Sequence, residues 1–271
     1  NYYVTGSVIT SRAFGDATFD DLSTLGPIII LVIFVVMAFL LRSITGTVAT
    51  LLVVMFAALT AMGFAGWSGM VLSSGNVGAP TIIMTVAIAH SVHVISTIML
   101  GMRSGLSKRE AILESIRVNI HPVSLTTVTT AIGFLSMNFS DAPPFHNLGN
   151  LVALGVVAAM VFALTFVPAF VYVLPLRVRP RREGQTAFFD HVGEFVVRRR
   201  TPLLWGMAAI IIGLAAGVPQ VELNDNWTKY FDERYEFRRD TDYIINNLTG
   251  VEAFEFSLPA GKEGAINDPE Y

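Results

Sequence analysis

Two histidines three residues apart, His90 and His93, stand in the middle of an apolar run, APTIIMTVAIAHSVHVISTIML, with Thr97 four residues beyond the second. A second apolar run carries four threonines, Thr126, Thr127, Thr129 and Thr130, followed by Gly133 and Ser136. Imidazole titrates near neutral pH, and a hydroxyl both donates and accepts, so these groups have the chemistry of a proton relay. Spacings of three and four place His90, His93 and Thr97 along one side of a helix, and do the same for Thr126, Thr129 or Thr130, Gly133 and Ser136. Each set has a second reading. The histidines suit a hydrogen bond to a neighbouring helix, and a small-residue stripe suits close helix packing. A metal site lacks a third ligand at suitable spacing. Asp141, next to Pro143 and Pro144, reads as a turn or helix-end residue, with gating as the alternative role.

The surroundings decide how much weight these residues carry. Hydrophobic residues make up 53% of the 271 and charged residues only 14%, against about 25% charged in a typical soluble domain. The deficit lies in long apolar blocks, so the chain is a polytopic α-helical membrane protein. An ionisable group at mid-bilayer costs roughly 2.5–3.5 kcal/mol on insertion scales, and a chain that keeps one there has a use for it. There is no cysteine, which excludes disulfides, thiol catalysis and cysteine-ligated metal. No basic surface with interleaved aromatics suggests nucleic acid.

In chain order, Tyr2–Ile9 alternates as a strand and Ser11–Leu25 reads as a helix with a wet acidic face. Pro27 opens a first span to Leu41, with the preceding segment continuing that helix out of the membrane. Further spans are expected over Thr47–Trp67, Thr81–Leu100, Val123–Phe139, Leu148–Leu174 and Pro202–Val218. Residues 107–118 predict a separate interfacial helix, with Ser107 as N-cap and Glu110 completing a capping box. SDAPPFHN predicts a proline-rich turn. TAFFDHVGEFVVRRR carries an apolar stripe of Phe188, Phe189, Val192, Phe195 and Val196 for the membrane surface. FRRDTDYIINNL predicts a helix and AFEFSL a strand.

This divides the chain into an end of a soluble domain at 1–25, a five-span bundle at 26–175, and a basic connector at 176–201. A sixth span at 202–219 and the start of a second soluble region at 220–271 follow. The chain reads as a piece of a longer protein. Arg42, then Arg103, Lys108, Arg109 and Arg117, then the arginines between Arg177 and Arg200, fall in alternate loops. Loops 68–80 and 140–147 hold no Lys or Arg. The positive-inside rule makes the basic loops cytoplasmic and both soluble ends extracytoplasmic.

The text GAPTIIMTVAIAHSVHVIS, then GLSKREAILESI, then HPVSLTTVTTAIGFLSMNFSDAPPFHNLG resembles the resistance–nodulation–cell division (RND) superfamily. Within it the resemblance is to hydrophobe exporters related to mycobacterial large membrane proteins (MMPL) and hopanoid transporters. KYFDERYEFRRDTDYIINNLTG is similar to the start of that family's second porter domain. The resemblance implies an RND-type helix bundle with flanking extracytoplasmic α+β porter domains in a bacterial inner membrane. It also implies proton-driven transport through carboxylates near the middle of the fourth span and of its counterpart. The matching position here is His90, where relatives often read AIADSVH; either the histidine titrates in place of the carboxylate with a different charge cycle, or this half is silent and the counterpart half does the work.

The expected function is therefore export of hydrophobic or amphiphilic, lipid-like molecules driven by the proton-motive force. Its partners would be the bilayer, the lipid-like substrate and protons. A homo-oligomer, trimer or dimer, and periplasmic accessory proteins are implied as well. No cofactor is called for, and no phosphate-cradling loop supports ATP. A non-transporting lipid- or sterol-sensing membrane module is the alternative. An enzyme is not expected, since no nucleophile–base pair can be assembled.

Overall fold

The computed structural model describes residues 2–73, 75–176, 178, 187–222 and 227–248, and all regular structure among them is helical. The helices are α1 (Ser7–Leu41), α2 (Ile44–Trp67), α3 (Ala79–Arg103), α4 (Lys108–Leu135) and α5 (Pro143–Val173). They continue as α6 (Ala187–Arg198), α7 (Arg200–Ala215) and α8 (Glu236–Asn247). Six segments among the described residues are long and apolar enough to cross a bilayer, in α1 to α5 and at Arg200–Gln220. The chain divides into two units, Thr24–Leu204 and a smaller one formed by Asn1–Ser23 with Trp205–Tyr271.

In the larger unit, α5 lies against α2, α3 and α4, and α3 also packs on α2 and α4. Small residues let these backbones approach. A Cβ added to Gly155 of α5 would collide with the side chain of Ile83, itself fully buried in α3. One added to Gly149 would meet the Phe134 carbonyl oxygen at the end of α4. Between α1 and α2, Arg42 takes a left-handed conformation at φ 48°, and Ser43 then caps α2 by accepting from the Gly46 N–H. At the same end of the bundle, the Lys108 ammonium donates to the carbonyls of Tyr172 and Leu174, both at 2.8 Å. The Thr45 hydroxyl donates to Pro175 O at 2.7 Å. Together they occupy carbonyls that the end of α5 leaves without helical partners.

Four expectations are corrected. Tyr2–Ile9 is not a strand: residues 2–5 have no regular structure and α1 begins at Ser7. Its polar and aromatic groups pair instead with α8. The Val4 N–H donates to Asp240, the Thr5 and Thr241 hydroxyls lie 3.0 Å apart, and Tyr3 stacks on Tyr243 at 3.9 Å. Pro27 lies inside the 35-residue α1 rather than opening it, although the predicted continuation of that helix beyond the apolar stretch is found.

The separate interfacial helix at 107–118 is absent as such, because α4 runs unbroken from Lys108 through Pro122 to Leu135. Proline removes one N–H from the ladder, and this loss is outweighed where Ala111, Ile112, Ser115, Asn119, Val123 and Thr127 are all buried in the bundle. Finally, the fifth span starts earlier, at Pro143, since two prolines are tolerated in a first turn whose N–H groups have no helical partners.

The capping box is found as predicted. The Ser107 hydroxyl accepts from Glu110 N–H at 3.3 Å, and the Glu110 carboxylate accepts from Ser107 N–H at 2.9 Å. Replacing Ser107 by alanine is expected to cost about 1 kcal/mol, read as several-fold faster amide exchange confined to the first turn of α4. Unchanged exchange there would mean that Lys108 alone holds this end.

α8 occupies the predicted helix, while the predicted strand AFEFSL lies outside the described residues. So do the basic residues at 177 and 179–186, and the side chains of Phe188 and Phe189. Val192, Phe195 and Val196 of α6 are exposed.

Candidate functional site

α3 and α4 meet along a buried polar seam. On α3, residues Ile83, Ala87, His90, Ser91, Val94 and Ile98 face inward at helical spacing. On α4 the inward row is Ala111, Ser115, Asn119, Val123, Thr127 and Ala131, one residue in every four. Where the rows cross at mid-span, His90 Nε2 and Thr127 Oγ1 lie 3.0 Å apart. His90 is 3% exposed and Thr127 0%. The hydroxyl donates to an unprotonated Nε2 or accepts from Nε2–H, so the pair survives either state of the ring.

Further along α3, the Ser115 hydroxyl donates to Val94 O at 2.8 Å. The Asn119 amide donates to the Thr97 hydroxyl at 3.0 Å and to Ser115 O at 2.9 Å. The Thr97 hydroxyl in turn donates to His93 O. Buried polar groups cost free energy unless paired, and these are paired across the two helices.

The structure brings together only part of the expected set. His90 is inside, whereas His93 is exposed on α3, because three residues leave two side chains about 60° apart around a helix. Thr126 and Thr129 are exposed and donate back to their own helix, at Pro122 O and Leu125 O. Thr130 is half-buried. The threonine that reaches His90 is Thr127, outside the stripe chosen from spacing. Ser115 and Asn119 were also missed, and the i, i+4 row through Ala111 and Val123 is the signal that contains them.

Asp141 is exposed. The turn around it is closed by other residues: His146 Nε2 bonds to Ser140 O, and the Ala142 N–H donates to the Ser140 hydroxyl. Just before the turn, Asn138 and Asn150 exchange a reciprocal pair of amide hydrogen bonds at 3.0 and 3.1 Å.

Known proteins resemble this chain over 60–65% of its length. It is 29% identical over 170 residues to "Probable transport protein MmpL10" of Mycobacterium leprae, covering 62% of this chain and 15% of that protein. Membrane protein MJ1562 of Methanocaldococcus jannaschii is 28% identical over 167 residues, 60% of this chain and 42% of the relative. "Sulfolipid-1 exporter MmpL8" of Mycobacterium tuberculosis is 26% identical over 179 residues, 65% of this chain and 16% of the relative. The chain thus spans less than half the length of each. The model of the MMPL family matches residues 1–203, which takes in the whole polar seam and all the helices that build it. This multi-pass helical membrane protein belongs to the MMPL family.

Proposed function

We propose that this chain is part of an exporter of hydrophobic or amphiphilic, lipid-like molecules, driven by the proton-motive force. In this reading the basic loops are cytoplasmic, both ends of the chain are extracytoplasmic, and the membrane is the bacterial inner membrane. His90 is the titrating group of the membrane bundle, Thr127 hands its proton on, and movement of α3 against α4 carries the change outward. Two named relatives support export: one is called a transport protein and the other a sulfolipid-1 exporter.

The observation that carries the proposal is the placement of His90. It is the one histidine among the described residues that is buried within an apolar span, and its ring meets a hydroxyl on the neighbouring helix. A residue that costs a few kcal/mol to bury in a membrane earns its place through what it does there. Proton coupling is tested with the intact protein in liposomes loaded with a lipid-like substrate, comparing substrate release with and without an imposed proton gradient. Release is expected to fall about tenfold or more when a protonophore removes roughly 1.4 kcal/mol or more of driving force. Equal release in both conditions would overturn the proposal.

A further inference from the structure

The later turns of α6 are covered by nothing among the described residues: every position from His191 to Arg200 is exposed. At 3.6 residues per turn, Val192, Phe195 and Val196 share one side of the helix, while His191, Glu194 and Arg198 share the other. A helix divided in this way is stable on a surface that is apolar beneath it and wet above. The course of the chain says where that surface is. α6 ends at Arg198 and α7 begins at Arg200, and Arg200–Gln220 is long and apolar enough to cross a bilayer. One residue therefore separates α6 from a membrane span, which holds its end at the edge of the bilayer.

The junction is a break in the helix rather than a continuation of it. Pro202 has no N–H to give to the Arg198 carbonyl four residues back, and a turn at Arg199 separates the two helices. The Arg200 guanidinium folds back to donate to Val197 O at 3.3 Å, and so serves the end of α6. Arg198 and Arg199 have no such task. Both are exposed, and neither is in an ion pair with a described residue.

Two unpaired cations at the lip of a span lie at the level of lipid head groups, where anionic phosphates attract them. We propose that α6 lies along a leaflet that carries anionic phospholipid. Val192, Phe195 and Val196 rest in the acyl boundary, Arg198 and Arg199 meet lipid phosphates, and Glu194 stays on the wet side. The bilayer is the occupant because it already surrounds the span one residue away, so a protein partner would first have to displace it. The inference uses neither His90 nor a proton gradient, and it stands or falls apart from the transport reading.

The test places single cysteines, Val196→Cys or Glu194→Cys, in an otherwise cysteine-free version of the intact protein and labels each with a fluorophore. Nanodiscs are made from phosphocholine lipid alone or with about a third phosphoglycerol lipid. A head-group nitroxide lipid reports contact with the bilayer, and acrylamide, which is uncharged, reports contact with water. In the anionic discs the nitroxide is expected to quench the probe at 196 about threefold or more above the probe at 194, with acrylamide showing the reverse order. That contrast is expected to shrink in phosphocholine alone, and Arg198→Gln with Arg199→Gln is expected to make it equal in both lipids. Arg200 is kept because it serves the Val197 carbonyl. Equal quenching of the two probes would mean that α6 stands off the bilayer and would overturn the proposal. So would a probe at 196 shielded from both agents, since protein would then cover that side. A contrast indifferent to phosphoglycerol in the parent protein would overturn the assignment of anionic lipid.

Discussion

Replacing His90 by alanine is expected to lower substrate-coupled proton flux about a hundredfold, the scale of losing a positioned proton-transfer group. Replacing it by aspartate is expected to keep the flux, because a carboxylate at the same depth can titrate and still reach the Thr127 hydroxyl. Thr127→Val conserves shape but removes the partner. It should slow coupled flux about fivefold, in line with a net hydrogen bond of about 1 kcal/mol. The measurement is proton entry into liposomes that hold the intact protein and an internal pH dye, under a substrate gradient. Coupled flux unchanged in His90→Ala would place the relay outside this stretch of chain. Flux lost in both the alanine and the aspartate variants, with folding intact, would show that a carboxylate at this depth does not stand in for the imidazole.

A single methyl group at Gly155 is expected to destabilise the bundle by about 1–3 kcal/mol, the usual cost of overpacking. The added Cβ meets Cδ1 and Cγ1 of Ile83, and Ile83 is itself fully buried with no free side to turn toward. Gly63→Ala makes the matching control, since its Cβ would enter open space on α2 and gains up to about 1 kcal/mol of helix propensity. Thermal unfolding of the intact protein should therefore move in opposite directions for two identical chemical changes. Adding Ile83→Ala to Gly155→Ala should recover part of the loss if the clash is its cause. A Gly155→Ala protein as stable as the parent would show that α3 and α5 can separate at that point without cost.

The membrane class and the order of spans were legible because a bilayer leaves an unmistakable pattern: long apolar blocks with basic residues between them. The Ser107–Glu110 box was legible because both of its hydrogen bonds are local. Proline misled twice. Pro27 and Pro122 each mark a place where an isolated helix would weaken, yet α1 and α4 run continuous through them, α4 with Asn119, Val123 and Thr127 buried on either side of its proline. Cutting α4 at Val118 then hid the i, i+4 row from Ala111 to Ala131, so Ser115 and Asn119 went unnoticed and the wrong threonines were aligned. His90 was found because a titratable group in an apolar run stands out by type alone. Its partner was not, because which of four threonines turns inward depends on the approach angle of two helices distant in sequence.

The unbroken course of α4 has a mechanical consequence. Lys108 begins the same rod that carries Thr127, roughly 28 Å further along at about 1.5 Å per residue, and its ammonium grips the last carbonyls of α5. The His90 layer and the far edge of the bundle are thus two ends of one lever. A small axial slip or roll of α4 at Thr127 is delivered to the end of α5 without passing through a flexible joint, with Pro122 the single softened point along the shaft.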